Sequence, residues 1–344
     1  MKKRTITALC AVIVVALVSP EAPTAFAASA SPVVAGPSTT LLVSGLAGGS
    51  GSTVGPDGAL YVTEGLAGRV SRVDPRTGSV TTYADGLPPS IVGVGGAMDV
   101  AFRGRTAYVL VSLVGSDVGG NDIVGLYRVD GPNQFTVIAD IGAWALTHPP
   151  ATDFFIPTGV QYAMDKFRNG FLVTDGHHNR VLRVTLDGTV TEVIAFGNVV
   201  PTGLAIRGNS VYMAEAGPVP HLPDDGKVVS FKPGSNTVTE VAAGGRLLVD
   251  VEFGIGRELY ALAQGEFTPG NPDGSPANPN TGALLKVDGQ GGFNVVETGL
   301  NQPTSFELIK NTAYVVTLGG EIWRVELHLR GPRDQRTGFR KEDL

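Results

Sequence analysis

"PTGLAIRGNSVYMAEAG", residues 201–217, places two short apolar runs on either side of a Gly-Asn turn. The same construction stands at "PTGVQYAMDKFRNGFLVTDG" from Pro157 and at "PTSFELIKNTAYVVTLGG" from Pro303. A construction that recurs at long intervals marks a repeat architecture, in which one unit cannot bury its apolar surface without neighbours. Aligned on the second run, six copies appear: "ALYVTE" from Ala59, "TAYVLV" from Thr106, "GFLVTD" from Gly170, "SVYMAE" from Ser210, "ELYALA" from Glu258 and "TAYVVT" from Thr312. A third run follows each, from "GRVSRVD" in the first to "GEIWRVE" in the last, and a fourth follows in five of them. Four short strands per unit match the blades of a propeller.

The sixth copy runs from "GEIWRVELHL" straight into the charged tail "RGPRDQRTGFRKEDL", so its fourth strand is missing there. "TTLLVSGL", Thr39 to Leu46, reads like a fourth strand and precedes the first copy with no unit of its own. Pairing it with the last blade closes the ring and leaves no sheet edge. The expected fold is all-β: a six-bladed β-propeller of four antiparallel strands per blade, the N-terminal strand closing the last blade. The segments are a signal peptide at 1–27, a flexible linker at 28–38, the propeller at 39–327 and a charged flexible tail at 328–344.

"MKKR", the apolar run from Ile6 to Val18 and "TAFA" before Ala28 have the three zones of a secretory signal. Nothing later approaches the roughly 18 apolar residues of a spanning helix. The expectation is a secreted, extracellular protein, monomeric, with no membrane insertion after cleavage. Cys10, the one cysteine, lies inside the signal, so the exported chain has neither disulfide nor thiol nucleophile. Cleavage removes Lys2, Lys3, Arg4 and Glu21, which moves the formal charge from −6 to −8. Such a chain lacks the electrostatic footprint of a nucleic-acid or anionic-lipid binder. Gly at 47 of 344 residues and only 17% charged residues fit many turns and buried strands.

The residues "GPDGALYVTEG", "LVTDGHHNRVLRVTLDGTVTEVIAF", "PTGLAIRGNSVYMAEAG" and "GALLKVD" resemble the ScyD/ScyE family of exported bacterial propellers. The resemblance spans nearly all of residues 39–327 and implies a secreted six-bladed ring without an established reaction. The match is loose over "VIADIGAWALTHPP" (Val137 to Pro150), and "IPTG" at Ile156 departs from the family's usual blade start. Weaker kinship is visible with NHL repeats and with streptogramin-lyase and gluconolactonase propellers, although Val54 stands where gluconolactonases have an early Glu.

In a ring, a feature shared by most blades serves packing and one found once or twice can serve a ligand. Arg72, Arg128, Arg183, Lys286 and Arg324 share one third-strand position, with Ser230 in the fourth blade, and read as structural. Loops between second and third strands and between blades emerge on one face, hairpins on the other. The long loops, 112–123, 215–226, 263–282 and 142–156, all fall on the first face, the usual place for binding. Hairpins read as short except "AMDKFRNG", residues 163–170.

On the loop face Glu64, Asp175 and Glu215 end second strands, and Asp99 and Asp250 begin first strands, aligned with Gly159, Gly203 and Ser305. These five acids with Trp144 and His148 form the candidate ligand-binding face. Glu64, Asp175 and Glu215 are also the candidate ligands for Ca²⁺ or Mg²⁺, hard cations that take oxygen donors. The competing reading is that each acid caps a strand end or pairs with a cation of its own blade. His177, His178 and His221 are the candidate acid–base residues, since histidine titrates near working pH. No Gly-x-Ser-x-Gly, His-Glu-x-x-His or phosphate loop appears. Three functions stay open: binding of a small molecule or extracellular protein on the loop face, metal-assisted hydrolysis or lysis of a lactone-like secondary metabolite, and a structural role in the envelope.

Overall fold

The computed structural model describes residues 38–272 and 274–327; the expected signal peptide, most of the linker and the tail, with His328, lie outside the described residues. The first strand, β1 (Thr39–Val43), belongs to the last blade. Blade 1 is β2 (Gly49–Val54), β3 (Leu60–Glu64), β4 (Arg69–Val73) and β5 (Val80–Asp85). Blade 2 is β6 (Gly96–Arg103), β7 (Thr106–Ser112), β8 (Gly125–Gly131) and β9 (Gln134–Asp140). Blade 3 is β10 (Gln161–Phe167), β11 (Gly170–Asp175), β12 (Arg180–Thr185) and β13 (Val190–Ala195). Blade 4 is β14 (Pro201–Arg207), β15 (Ser210–Glu215), β16 (Gly226–Phe231) and β17 (Val238–Gly245). Blade 5 is β18 (Leu248–Phe253), β19 (Leu259–Ala263), β20 (Gly282–Val287) and β21 (Phe293–Leu300). Blade 6 is β22 (Pro303–Ile309), β23 (Thr312–Thr317) and β24 (Ile322–Glu326), with β1 as its outer strand. Every sheet is four-stranded and antiparallel, so the chain is an all-β, six-bladed propeller.

The double-sided apolar character of the second strands has a direct cause. In β3, Leu60 and Val62 pack toward blade 6 while Tyr61 packs toward blade 2; in β7, Val109 meets blade 1 while Tyr108 and Leu110 meet blade 3. Side chains alternate along a strand, so a strand between two neighbours must be apolar at every position. One buried cluster fills each of the six interfaces. Outer strands such as β5 and β9 are mostly exposed, which explains their polar sequences.

Closure follows the expected route. Thr39, Thr40, Leu41 and Val43 pair with Val325, Arg324, Trp323 and Ile322, and Val43 enters the cluster shared with Leu60 and Val73 of blade 1. The recurrent third-strand cations face second-strand aromatic or aliphatic residues, and four of them bond an acid within their own blade: Arg72 with Asp57, Arg128 with Asp130, Lys286 with Glu258 and Arg324 with Glu326. They serve packing. Among the described residues no helix is long and apolar enough to cross a membrane.

Blade 3 corrects the expected register. Gln161, and not Pro157, is the equivalent of Pro201, since Gln161 pairs with Asp175 as Pro201 pairs with Glu215. The expected long hairpin is strand as far as Phe167, and Arg168 at φ 50 makes a two-residue turn with Asn169. Burial of Met164 toward blade 2 and of Phe167 toward blade 4 fixes this register. The position aligned with Asp99 is therefore Ala163, and Asp165 lies on an inner strand.

Removal of residues 39–46 should open the edge of β24 and uncover the blade 1 interface, at a cost of several kcal/mol out of the roughly 5–15 typical of a domain. The truncated chain is expected to melt at markedly lower temperature and to aggregate in size-exclusion chromatography; a melt equal to the parent's would show that another contact closes the ring.

Candidate functional site

Three second strands end in an acid that faces a cation across the pair: Glu64 opposite Arg69, Asp175 opposite Arg180 and Glu215 opposite Lys227. Their environments differ. Glu64 accepts from the backbone N–H of Ala47 at 2.6 Å and from the Ser71 hydroxyl at 2.5 Å, with Arg69 at 3.9 Å. Asp175 is wholly buried, as is Arg180, whose Nε donates to it at 2.9 Å. The other Asp175 oxygen accepts from Val160 N–H at 3.1 Å and from Gln161 Nε2 at 3.4 Å. Glu215 receives no hydrogen bond among the described residues, because Lys227 donates to Glu240 at 2.7 Å instead. Burial pushes the Glu215 carboxyl up to about 7 against the opposing pull of Lys227.

The histidines differ from one another in burial and partners. His178 is buried; its Nε2 donates to the Ile156 carbonyl at 2.9 Å, and its Nδ1 lies 2.8 Å from Arg180 and 3.1 Å from an Asp175 oxygen. That arrangement leaves neither ring nitrogen for a substrate. His148 is exposed and stacks on Trp144 at 4.3 Å, both at the end of α1 (Ile141–Thr147), whose N-terminus is capped by Asp140. Arg180 lies over the Trp144 ring and donates to the His148 carbonyl at 2.6 Å. His177 lies beside Phe155 at 4.8 Å, near Gly274 in the long loop of blade 5, and His221 meets the edge of Phe267 at 5.3 Å. The three candidate acid–base histidines thus sit in separate settings.

The inner strands surround a central channel. Asp99 and Asp250, in blades 2 and 5 on opposite sides of the ring, tie neighbouring inner strands together in the same way. Each accepts from its own next N–H and from the strand beside it, Asp99 from Met164 at 2.7 Å and Asp250 from Phe306 at 2.9 Å. Asp165 repeats the contact toward Ile206 at 3.1 Å. Two residues farther along, Glu252 and Glu307 face the same lumen. Burial, with mutual repulsion added for all but Asp165 and Asp250, raises these carboxyls: Asp165 to about 6, and Asp99, Asp250, Glu252 and Glu307 also upward. The Tyr162 hydroxyl from blade 3 donates to the Thr304 carbonyl of blade 6 at 3.0 Å, so its ring spans the lumen. Asp165, Glu252 and Glu307 were missed in the sequence, although strand alternation carries the signal: Glu252 is two residues beyond Asp250 and Glu307 two beyond Ser305.

Among the described residues no three His, Asp or Glu are gathered so as to hold a metal ion. Glu64, Asp175 and Glu215 as placed do not form a coordination set, and the first two carboxylates already accept from protein donors.

The loop face has another property. Leu66, Ile91, Val92, Val94, Ile123, Leu146, Phe154 and Phe155 are exposed there, Val92 at 48% and Phe155 at 45%, in an arc over blades 1 to 3. Asp117 ties this arc to blade 3 by accepting from the Thr158 amide and hydroxyl, each at 2.8 Å.

No protein-family model matches the chain, and no curated protein sequence does. Solved structures do match in fold. A gluconolactonase from Xanthomonas campestris superposes with a TM-score of 0.59 at 12% identity, over 85% of this chain and 90% of its own. Virginiamycin B lyase from Staphylococcus aureus gives 0.51 at 13%, over 85% and 99%. A chain of the nidogen–laminin complex gives 0.51 at 13%, over 75% and 84%. At these identities the likeness is one of fold.

Asp175→Asn deprives the buried Arg180 of its nearest counter-charge and should cost roughly 3–5 kcal/mol in chemical denaturation. Glu215 holds its proton more tightly folded than unfolded, so its contribution is fully present below its ordinary value of 4.5 and is lost as pH rises to about 7. The channel carboxyls act in the same direction. The melting temperature is expected to fall between pH 4.5 and 7, and less steeply in Glu215→Gln; a melt that rises over that window would contradict this.

Proposed function

We propose that this chain is an exported, monomeric binding propeller of the ScyD/ScyE type that docks a basic, amphipathic polypeptide on its loop face and performs no chemistry there. The observation that carries the reading is the exposed apolar arc over blades 1 to 3. Soluble proteins seldom expose contiguous apolar surface without a partner for it. Its charge names the kind of partner: segments 86–95, 113–124 and 141–160 contain Asp117, Asp122 and Asp153 and neither lysine nor arginine. Asp122 and Asp153 are exposed.

The candidate catalytic groups support the same side of the choice. His178, Asp175 and Glu64 are occupied by the fold itself, and a general base must be free to reach the proton that it takes. The fold alone does not decide, since the matching structures include a gluconolactonase, a lyase and a chain of a two-protein complex. Glu215 is the observation that favours the enzyme reading, as a buried carboxyl near 7 without a hydrogen-bond partner among the described residues.

The test uses the exported chain and a fluorescent helix of Leu and Lys as the probe. Saturable binding is expected, weakened at least about tenfold by Val92→Asp and by Phe155→Asp with unchanged melting, as loss of a central apolar contact implies. Parallel assays on a lactone panel should show no turnover. Turnover abolished in Glu215→Gln would replace the binding reading with the enzyme, and absence of peptide binding with retention in the cell-envelope fraction would replace it with the structural role.

A further inference from the structure

The face opposite the long loops carries its own cavity. It measures about 510 Å³ and is lined by Ile206, Arg207, Phe253, Gly254, Gly256 and Arg257, at the hairpin ends of the inner strands of blades 4 and 5. Its origin is a mismatch of turn lengths: β14 and β15 are joined by two residues, Gly208 and Asn209, while β18 and β19 are joined by five, 254–258. The longer turn stands away from its neighbour and leaves the recess. Sites for small molecules occupy roughly 300–1,000 Å³, so the recess has a ligand's dimensions.

We propose that this cavity is a binding site for a small organic carboxylate, held between Arg207 and Arg257. The Arg207 guanidinium carbon lies over the Phe253 ring, 5.2 Å from its centre, and Tyr212 meets the same ring edge-on at 5.0 Å. A guanidinium placed over an aromatic ring still has N–H groups to give a carboxylate, which it binds in a planar, two-point fashion. Among the described residues neither arginine has a carboxylate partner. The acid nearest in sequence, Glu258, is taken by Lys286 and by the Tyr260 hydroxyl.

Arg257 is held at a cost. Its φ of 82 is the largest positive value of any described non-glycine residue, and it follows Gly256 at 71 in the same left-handed region. Glycine adopts this conformation without a steric penalty, an arginine does not. The backbone thus accepts strain at the one place in the turn where a second cation reaches the cavity. Ile206 and Phe253 add apolar contact beside the two cations, which fits a carboxylate on a flat apolar body better than a fully hydrated inorganic anion.

The strain supplies a clean test, because Arg257→Gly removes the guanidinium while suiting the backbone. Titration of the exported chain with phthalate, followed by calorimetry or NMR, should saturate. Arg257→Gly and Arg207→Gln should each weaken binding about tenfold or more, the loss expected of one charge-assisted hydrogen-bonded contact, and Arg257→Gly should melt at the parent's temperature or above. Arg76→Gln, an exposed arginine on a different hairpin, should leave binding unchanged. Failure of phthalate to saturate, or unchanged affinity in Arg257→Gly, would overturn the site. Inorganic phosphate binding as tightly as phthalate would overturn the carboxylate assignment.

Discussion

The antiparallel pairing of β1 with β24 joins the two ends of the repeat, and every interface in the ring depends on it. A blade is apolar on both faces, so a linear stack of six would leave two faces and one sheet edge in water. Closure converts those two faces into one interface, filled by Val43, Leu60, Val73, Tyr314 and Ile322. The entropy of closing so long a loop grows only with the logarithm of its length, and a buried interface offsets it. The same topology makes the last contact the most distant in sequence, which belongs to slow folding.

Within that even ring, blade 3 holds a buried charge network for which the other blades have no counterpart of equal burial. An ion pair in the interior is worth little net stability, since desolvation consumes most of the attraction. Its partners show what it does instead. The His148 carbonyl, the Ile156 carbonyl and the Val160 amide all belong to the segment between blades 2 and 3, and Arg180, His178 and Asp175 bind them in that order. The network clamps the loop that presents Trp144, Phe154 and Phe155. Asp175 therefore acts on the loop surface through position, which is why its symmetry-breaking character was visible in sequence while its role was not.

The fold was legible because its cause is periodic. Six copies of an alternating apolar strand, and an orphan fourth strand before the first copy, carry blade number, strand order and closure. Register failed only at blade 3, where "PTG" at Pro157 imitates the blade start of Pro201 and the true start, Gln161, has a polar side chain. That side chain is itself taken up by the Thr158 carbonyl and by Asp175. The site was less legible because partners decide what an acid does, and partners come from other blades. Glu64, Asp175 and Glu215 look alike in sequence; Ser71, Arg180 and the diversion of Lys227 to Glu240 make them three different groups. Asp165, Glu252 and Glu307 are ordinary within their own strands for the same reason, whereas Asp99 and Asp250 stand out at the strand starts.

The Tyr162 bridge has a consequence for how the two faces relate. A ring that spans the lumen from blade 3 to blade 6 separates the loop-face mouth from the carboxyls of Asp165, Glu252 and Glu307 beneath it. Burial disfavours the charged forms of these three and of Asp99 and Asp250, and raises all five carboxyls. The apolar, acid-rimmed loop face and the cationic recess between blades 4 and 5 are surfaces of different charge. Coupling between them would have to pass through the packed inner strands, and interiors at crystal-like density transmit strain but do not deform gradually. The rigid ring thus permits one chain to present two surfaces of opposite charge, each set by the lengths of its own turns and loops.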